Sequence, residues 1–148
     1  MTSTYPIGTM SIATSIVFAN TKTKVMMLAR AMEADDHSVS VIHGDLDQCE
    51  RDRTMEDFRS GRTRVLIATD VLKRGIAVQA VSVVINYDLP GEMEDYIHRI
   101  GRAGRYGRHG MAINLITGRD IDDMHTLEKM YSFTIDELPT DYGSRFGA

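Results

Sequence analysis

Five short apolar runs, four of them continuous and the one at Val39–Ile42 interrupted by Ser40, set the narrowest limit on the fold of this chain. They lie within Thr14–Asn20, Val39–Ile42, Val65–Ala68, Val81–Tyr87 and Met111–Ile116. Runs of this length, rich in Val and Ile, suit strands buried on both faces, as in parallel sheets. Segments with helical spacing separate them. Thr23–Ala34 places Val25, Leu28, Ala29 and Met32 on one side. Asp47 and Glu50 form a capping-box pattern, and the helix it starts runs through Met55 and Phe58 and stops before Gly61, a suitable C′ residue. Glu92–Ile100 makes a short helix with Tyr96, Ile97 and Ile100 inward. Asp120–Tyr131 sets Ile121, Met124, Leu127 and Met130 or Tyr131 on one face, and Phe133-Thr134-Ile135 reads as a short sixth strand. The expectation is an α/β fold, a parallel β-sheet of about five to six strands with helices on both faces. Ligands in such sheets collect at the carboxyl ends of the strands.

The chain has 148 residues, enough for one domain with its own core. Its formal charge is −4, so any site for a polyanion has to be local. One cysteine, Cys49, excludes an internal disulfide, and five scattered histidines give no metal-ligand spacing. No apolar run reaches membrane-spanning length and no signal peptide is visible. These absences barely constrain location; the expectation is cytoplasmic or nuclear, not secreted, with no membrane contact.

The local basic site is the stretch His98–Arg108. Arginines recur at 99, 102, 105 and 108 and glycines at 101, 104, 107 and 110, with no acidic residue between Asp95 and Asp120. A guanidinium offers a planar fork of donors suited to phosphate oxygens. On spacing alone, phosphate recognition and a solvated basic loop stay equally open. Polar clusters also fall at strand ends: Asn20-Thr21, His43-Gly44-Asp45, Thr69-Asp70 and Asp88. Beside helix N-termini these suit a phosphodiester backbone, although Thr and Asn more often simply cap helices. Gln48 and Arg51 share a helix face. Arg51 can serve a phosphate or pair with Glu50 or Asp52. Arg74-Gly75 is a second basic point, with an exposed loop as its bland reading. The chain has no Gly-x-x-x-x-Gly-Lys-Ser/Thr phosphate loop and no acidic pair at a strand end suited to magnesium. Arginines without those parts look like half a site.

Four segments then carry a resemblance, in order along the chain. Ser15–Thr21 resembles motif IV of the C-terminal RecA-like domain of DEAD-box ATP-dependent RNA helicases. Gln48-Cys49-Glu50-Arg51 is similar to its Gln-x-x-Arg motif, Ala68–Ile76 to motif V, and His98–Arg105 to motif VI. The resemblance covers about residues 12–138, with 1–11 expected as a linker and 139–148 as a tail. The stretches Val84–Pro90 and Leu138–Asp141 are similar to the translation-initiation and mRNA-export groups respectively.

The resemblance implies an RNA-stimulated ATPase in the full-length protein and an inactive fragment when this domain is alone. Arg102 and Arg105 would be arginine fingers, the catalytic residues, on ATP held with Mg2+ mainly by a separate N-terminal domain. His98 and Arg99 would bind nucleotide or couple the two domains. Asn20, Thr21, Gly44, Gln48, Arg51, Thr69, Arg74 and Gly75 would line an RNA path that reads backbone and not base sequence. No resident metal is implied in this half. Implied partners are single-stranded or duplex RNA, the N-terminal RecA-like domain and protein regulators, with the chain a monomer. One departure is Ala77, where the family carries an Asp near the ATP ribose. The alternative is a non-catalytic RecA-like module for RNA or protein interaction.

Overall fold

The computed structural model describes residues 14–73, 81–103 and 110–138. Five parallel strands form one sheet: β1 (Ser15–Phe18), β2 (Val39–Ile42), β3 (Val65–Ala68), β4 (Val83–Asn86) and β5 (Met111–Asn114). Their order across the sheet is β2-β3-β1-β4-β5. Parallel neighbours need long crossovers, and among the described residues helices in these crossovers are α1 (Lys22–Ala34), α2 (Gln48–Arg59) and α3 (Met93–Ile100). A fourth helix, α4 (Ile121–Tyr131), follows β5 through a 3-10 turn at Gly118–Asp120.

Alternation along the strands divides the core between the two faces. Ile16, Phe18, Leu66, Ala68 and Val84 pack with Met55 and Phe58 of α2 on one face. Val17, Ala19, Val65 and Ile67 meet Val25 and Ala29 of α1 on the other. Each fully buried Ile, Leu or Phe contributes about 1.5–3 kcal/mol relative to exposure. A third cluster, Leu89, Tyr96 and Leu127, joins α3 to α4.

Local signals in the sequence are realised closely. Asp47 caps α2, accepting the Glu50 N–H at 2.8 Å while the Glu50 carboxylate accepts the Asp47 N–H at 2.9 Å. After Arg59 the chain turns through Gly61 at φ +80°, a conformation that favours glycine.

Three expectations need correction. The sheet has five strands among the described residues, and Phe133–Ile135 is not a sixth. The Phe133 N–H donates to the Glu128 carbonyl at 3.2 Å and the Ile135 N–H to Glu128 Oε2 at 3.0 Å. Those donors are therefore occupied and cannot join a ladder, and Phe133 stacks on Tyr96 instead, with centroids 6.1 Å apart. In α3, Ile97 is exposed and Arg99 takes the inner position beside Tyr96. In α4, Ile121 and Met130 are exposed and Leu127 is the buried anchor. The expected linker at 1–11 and tail at 139–148 lie outside the described residues.

Candidate nucleotide and nucleic-acid interface

The sheet order brings the polar strand ends together on one rim. Across it, the turn after β2 carries His43 and Gly44, the turn after β3 carries Thr69 and Asp70, the turn after β1 carries Asn20 and Thr21, and the turn after β4 carries Asp88. Segments far apart in sequence thus become neighbours because β3 inserts between β1 and β2.

Arg99 ties the middle of this rim. It is 2% exposed, and its guanidinium lies 5.2 Å from the centroid of the Phe18 ring. Its Nε donates to Asp70 Oδ1 at 2.7 Å, and Nη2 donates to Asp70 Oδ2 at 2.8 Å, a bidentate ion pair. Nη2 also donates to Asn20 Oδ1 at 2.8 Å. Nη1 donates to the Asp88 carbonyl at 2.7 Å and to Asn86 Oδ1 at 3.3 Å. All five N–H donors of the side chain are therefore engaged within the domain. Buried charge is costly unless paired and hydrogen-bonded, and here both conditions are met.

The same knot absorbs Asn20. Its backbone N–H donates to Asp88 Oδ2 at 2.8 Å and its Nδ2 donates to the Leu89 carbonyl at 2.8 Å. Lys24 closes the outside, donating to Asp88 Oδ1 at 2.8 Å. The Asp88 carboxylate, by hydrogen bond and charge, raises the Lys24 ammonium pKa above its ordinary 10.5.

Toward β2 the rim is more open. Thr21 caps α1, its Oγ1 accepting the Lys24 N–H at 3.2 Å. Thr69 is half-buried, and its N–H donates to the Ile42 carbonyl at 3.1 Å. Gly44 is exposed, and a Cβ built there would meet nothing within 4 Å. Gln48 opens α2 and donates to Asp52 Oδ1 at 2.8 Å. Arg51 is half-buried, and its Nη2 donates to the Gly44 carbonyl at 3.2 Å. Its Nε is shielded from solvent and has no hydrogen-bond partner. Lys22 donates to Asp45 Oδ2 at 2.6 Å, and that ammonium holds the Asp45 carboxyl below its usual 3.8.

His98 is exposed on α3. Arg102 is half-buried in the turn after α3, where its carbonyl accepts the Val81 N–H at 3.0 Å. Gly101 before it permits close backbone packing, since a Cβ there would lie 3.1 Å from the Ile97 carbonyl oxygen. Arg74, Gly75, Ala77 and Arg105 lie outside the described residues. Among the described residues, no three His, Cys, Asp or Glu side chains form a group able to hold a metal. No described helix is long and apolar enough to cross a membrane. Sequence reasoning did not single out Asn86, and it gave Asp70 and Asp88 no partner, although all three bond to Arg99.

Residues 7–107 match the family described as helicase conserved C-terminal domain. The chain is 54% identical over 136 residues to an ATP-dependent RNA helicase eIF4A of Scheffersomyces stipitis and 53% identical over 136 residues to that of Candida albicans. Each match covers 92% of this chain and 34% of the relative, so the chain spans about a third of the length of these relatives. Among solved structures, the C-terminal domain of the DEAD-box protein Dbp5 superposes with a TM-score of 0.81 at 42% identity, covering 90% of this chain and 79% of that one. S. cerevisiae Dbp5 bound to RNA and ADP BeF3 gives 0.83 at 40% identity, over 95% of this chain and 38% of that one. A DEAD box protein from the hyperthermophile Methanococcus jannaschii gives 0.81 at 38% identity, over 86% and 35%. With its motif-bearing turns gathered on one rim of a five-stranded RecA-like sheet, the chain belongs to the helicase conserved C-terminal domain family, as a C-terminal domain of the DEAD-box type.

Proposed function

We propose that this domain is the C-terminal half of an ATP-dependent RNA helicase, with residues 12–138 as its working unit. The observation that carries the proposal is the shared rim. Three of the four motif segments meet it at the adjacent strands β2, β3 and β1, and the fourth enters through α3 by way of Arg99. The helix dipole at the start of α1, whose first turn carries no acidic residue, favours an anionic chain across that rim. Thr21, Gly44, Gln48, Arg51 and Thr69, with Arg74 and Gly75, are the residues for an RNA backbone. A relative solved with RNA and ADP BeF3 supports both ligands, and another solved with Gle1 and IP6 supports a protein regulator.

ATP would supply a γ-phosphoryl group whose charge Arg102 and Arg105 neutralise when an N-terminal RecA-like domain closes against this one. Mg2+ belongs with ATP in that other domain. His98 and Arg99 couple closure to the rim, Arg99 by holding the turns together. We assign the helicase as a monomer acting on single-stranded or duplex RNA in the cytoplasm or nucleus.

The test is Arg102→Lys in the helicase that contains this domain. RNA-stimulated ATP hydrolysis is expected to fall about 10³-fold or more, the usual worth of an arginine finger. An unchanged turnover rate overturns the finger assignment. The 148-residue chain alone is expected to hydrolyse no ATP. Ala77 in place of Asp favours a second reading, a non-catalytic module. That reading predicts RNA binding without ATP turnover even when the upstream half is present.

A further inference from the structure

Behind Arg99 runs a line of polar groups that no motif accounts for. Phe18, Asn86 and Asn114 are in register across β1, β4 and β5 and so share a face. Phe18 lies under the guanidinium, and the two asparagines continue the row outward beneath α3. Asn86 is fully buried. Its Oδ1 accepts from Arg99 Nη1 at 3.3 Å, and its Nδ2 donates to Asn114 Oδ1 at 2.8 Å. Asn114 Nδ2 in turn donates to the Tyr96 hydroxyl oxygen at 2.9 Å.

The direction of these bonds is forced. Arginine only donates, so Asn86 must turn its carbonyl oxygen to Arg99 and its amide N–H to Asn114. Asn114 must then offer its oxygen to Asn86, which leaves its own N–H for Tyr96. Three bonds donate in the same sense along one chain, an arrangement in which each polarises the next. Both ends of the chain are side chains of α3, since Tyr96 and Arg99 stand three residues apart on its inner face. The relay therefore clamps one helix at two points. That helix leads directly into Arg102, whose backbone is further fixed by Val81. Apolar residues at 86 and 114 would fill the same space without fixing the rotation of α3.

We propose that Asn86 and Asn114 are positioning residues, which set the orientation of α3 and through it the placement of Arg99 and Arg102. The proposal rests on the helicase reading for its consequence in catalysis, but not for its geometry. Two measurements separate these. In the 148-residue chain, nitrogen NMR of Arg99 shows whether the guanidinium is held, through slow exchange and separate Nη signals. In the helicase containing this domain, RNA-stimulated ATP hydrolysis reads out placement.

Asn114→Leu should speed exchange of the Arg99 N–H groups about tenfold or more, a shift of the size expected of coupled networks. It should lower kcat about ten- to a hundredfold, as misplacement remote from the chemistry does, with KM for ATP and for RNA within about twofold. Asn114→Asp keeps an acceptor for Asn86 and lets the Tyr96 hydroxyl turn and donate, so it should restore both readouts. If Asn114→Leu fails to fold, Tyr96→Phe removes only the terminal acceptor and should give a smaller loss, about two- to fivefold, in the same quantities. Unchanged Arg99 exchange, an unchanged kcat, or a loss that Asn114→Asp does not rescue overturns the proposal. A helicase with no RNA-stimulated turnover before any substitution overturns the functional reading instead, and the NMR measurement then decides the relay by itself.

Discussion

Arg99 lies at the middle of the rim and Arg51 at its β2 end, and their surroundings differ in kind. Around Arg99 each donor is matched by an acceptor from β4 or from the turns after β1, β3 and β4, and the side chain is 2% exposed. Around Arg51 one bond of 3.2 Å reaches the Gly44 carbonyl and the Nε has no partner. Residue type does not separate the two, because both are arginines inside motifs. Bonding capacity does. A saturated guanidinium holds the domain's own turns in place, whereas one with donors to spare can take a phosphate oxygen from outside. The rim therefore has a structural half at β4, β1 and α3 and, on the function proposed above, a receptive half at β2 and the start of α2.

The same substitution at both positions gives the largest contrast. Arg99→Met leaves the Asp70 carboxylate, 27% exposed, and the Asn20 and Asn86 oxygens without their donor. Breaking a buried ion pair from one side costs about 3–5 kcal/mol. Arg51→Met removes one long bond and an unpartnered N–H, and should change stability by about 0.5 kcal/mol or less. Urea unfolding of the two variants measures both numbers. Equal losses would erase the distinction between the halves.

How far the sequence foretold this depends on how local each signal was. The Asp47–Glu50 capping box and the turn at Gly61 are set by neighbouring residues, and both form as their spacing implies. Four strands were legible because continuous apolar runs admit few alternatives, and β2, interrupted by Ser40, through its β-branched Val39, Val41 and Ile42. The Arg99 knot was not legible, since its acceptors come from Asp70 and Asn20, 29 and 79 residues away. Spacing assigned Ile97 to the interior on hydrophobicity alone. A charged side chain takes an inner position only when acceptors wait there, and those were visible only after the strands had been ordered. Asn20 was expected on the RNA path, but its amide is bonded on both sides to the domain itself. The side chains of Arg99 and Asn20 thus bind the domain's own turns. The resemblance named the right motifs, but it could not say which of their side chains face inward.

A second contrast is smaller. If the receptive half takes RNA, Arg51→Met should weaken binding of single-stranded RNA with little dependence on base sequence. It should also reduce the slope of log K against log salt by about 0.7, the share of a single phosphate that the variant no longer neutralises. Filter binding over a range of salt concentrations measures both. A loss confined to particular sequences, or an unchanged slope, would move the phosphate site elsewhere on the rim.

The smallest expected effect uses pH to address the two halves from opposite ends. Lys24 bonds Asp88 in the structural half, and Lys22 bonds Asp45 in the receptive half, both lysines coming from the first turn of α1. The Asp88 carboxylate raises the Lys24 pKa, so this ammonium contributes its stability fully below 10.5 and loses it as pH climbs through the raised value. The Lys22 ammonium lowers the Asp45 pKa, so that carboxylate contributes above 3.8 and its contribution is lost as pH falls through the lowered value. The Asp45 pair is more exposed on both sides than the Asp88 pair, and added salt should screen it more strongly. NMR titration of the Lys24 Nζ and the Asp45 carboxyl carbon should then show an alkaline midpoint that moves less with salt than the acid midpoint, which returns toward 3.8 as salt is added. Equal salt sensitivity at both sites would mean that Asp88 is no better sheltered than Asp45, and that the structural half ends at Arg99 and does not extend to the first turn of α1.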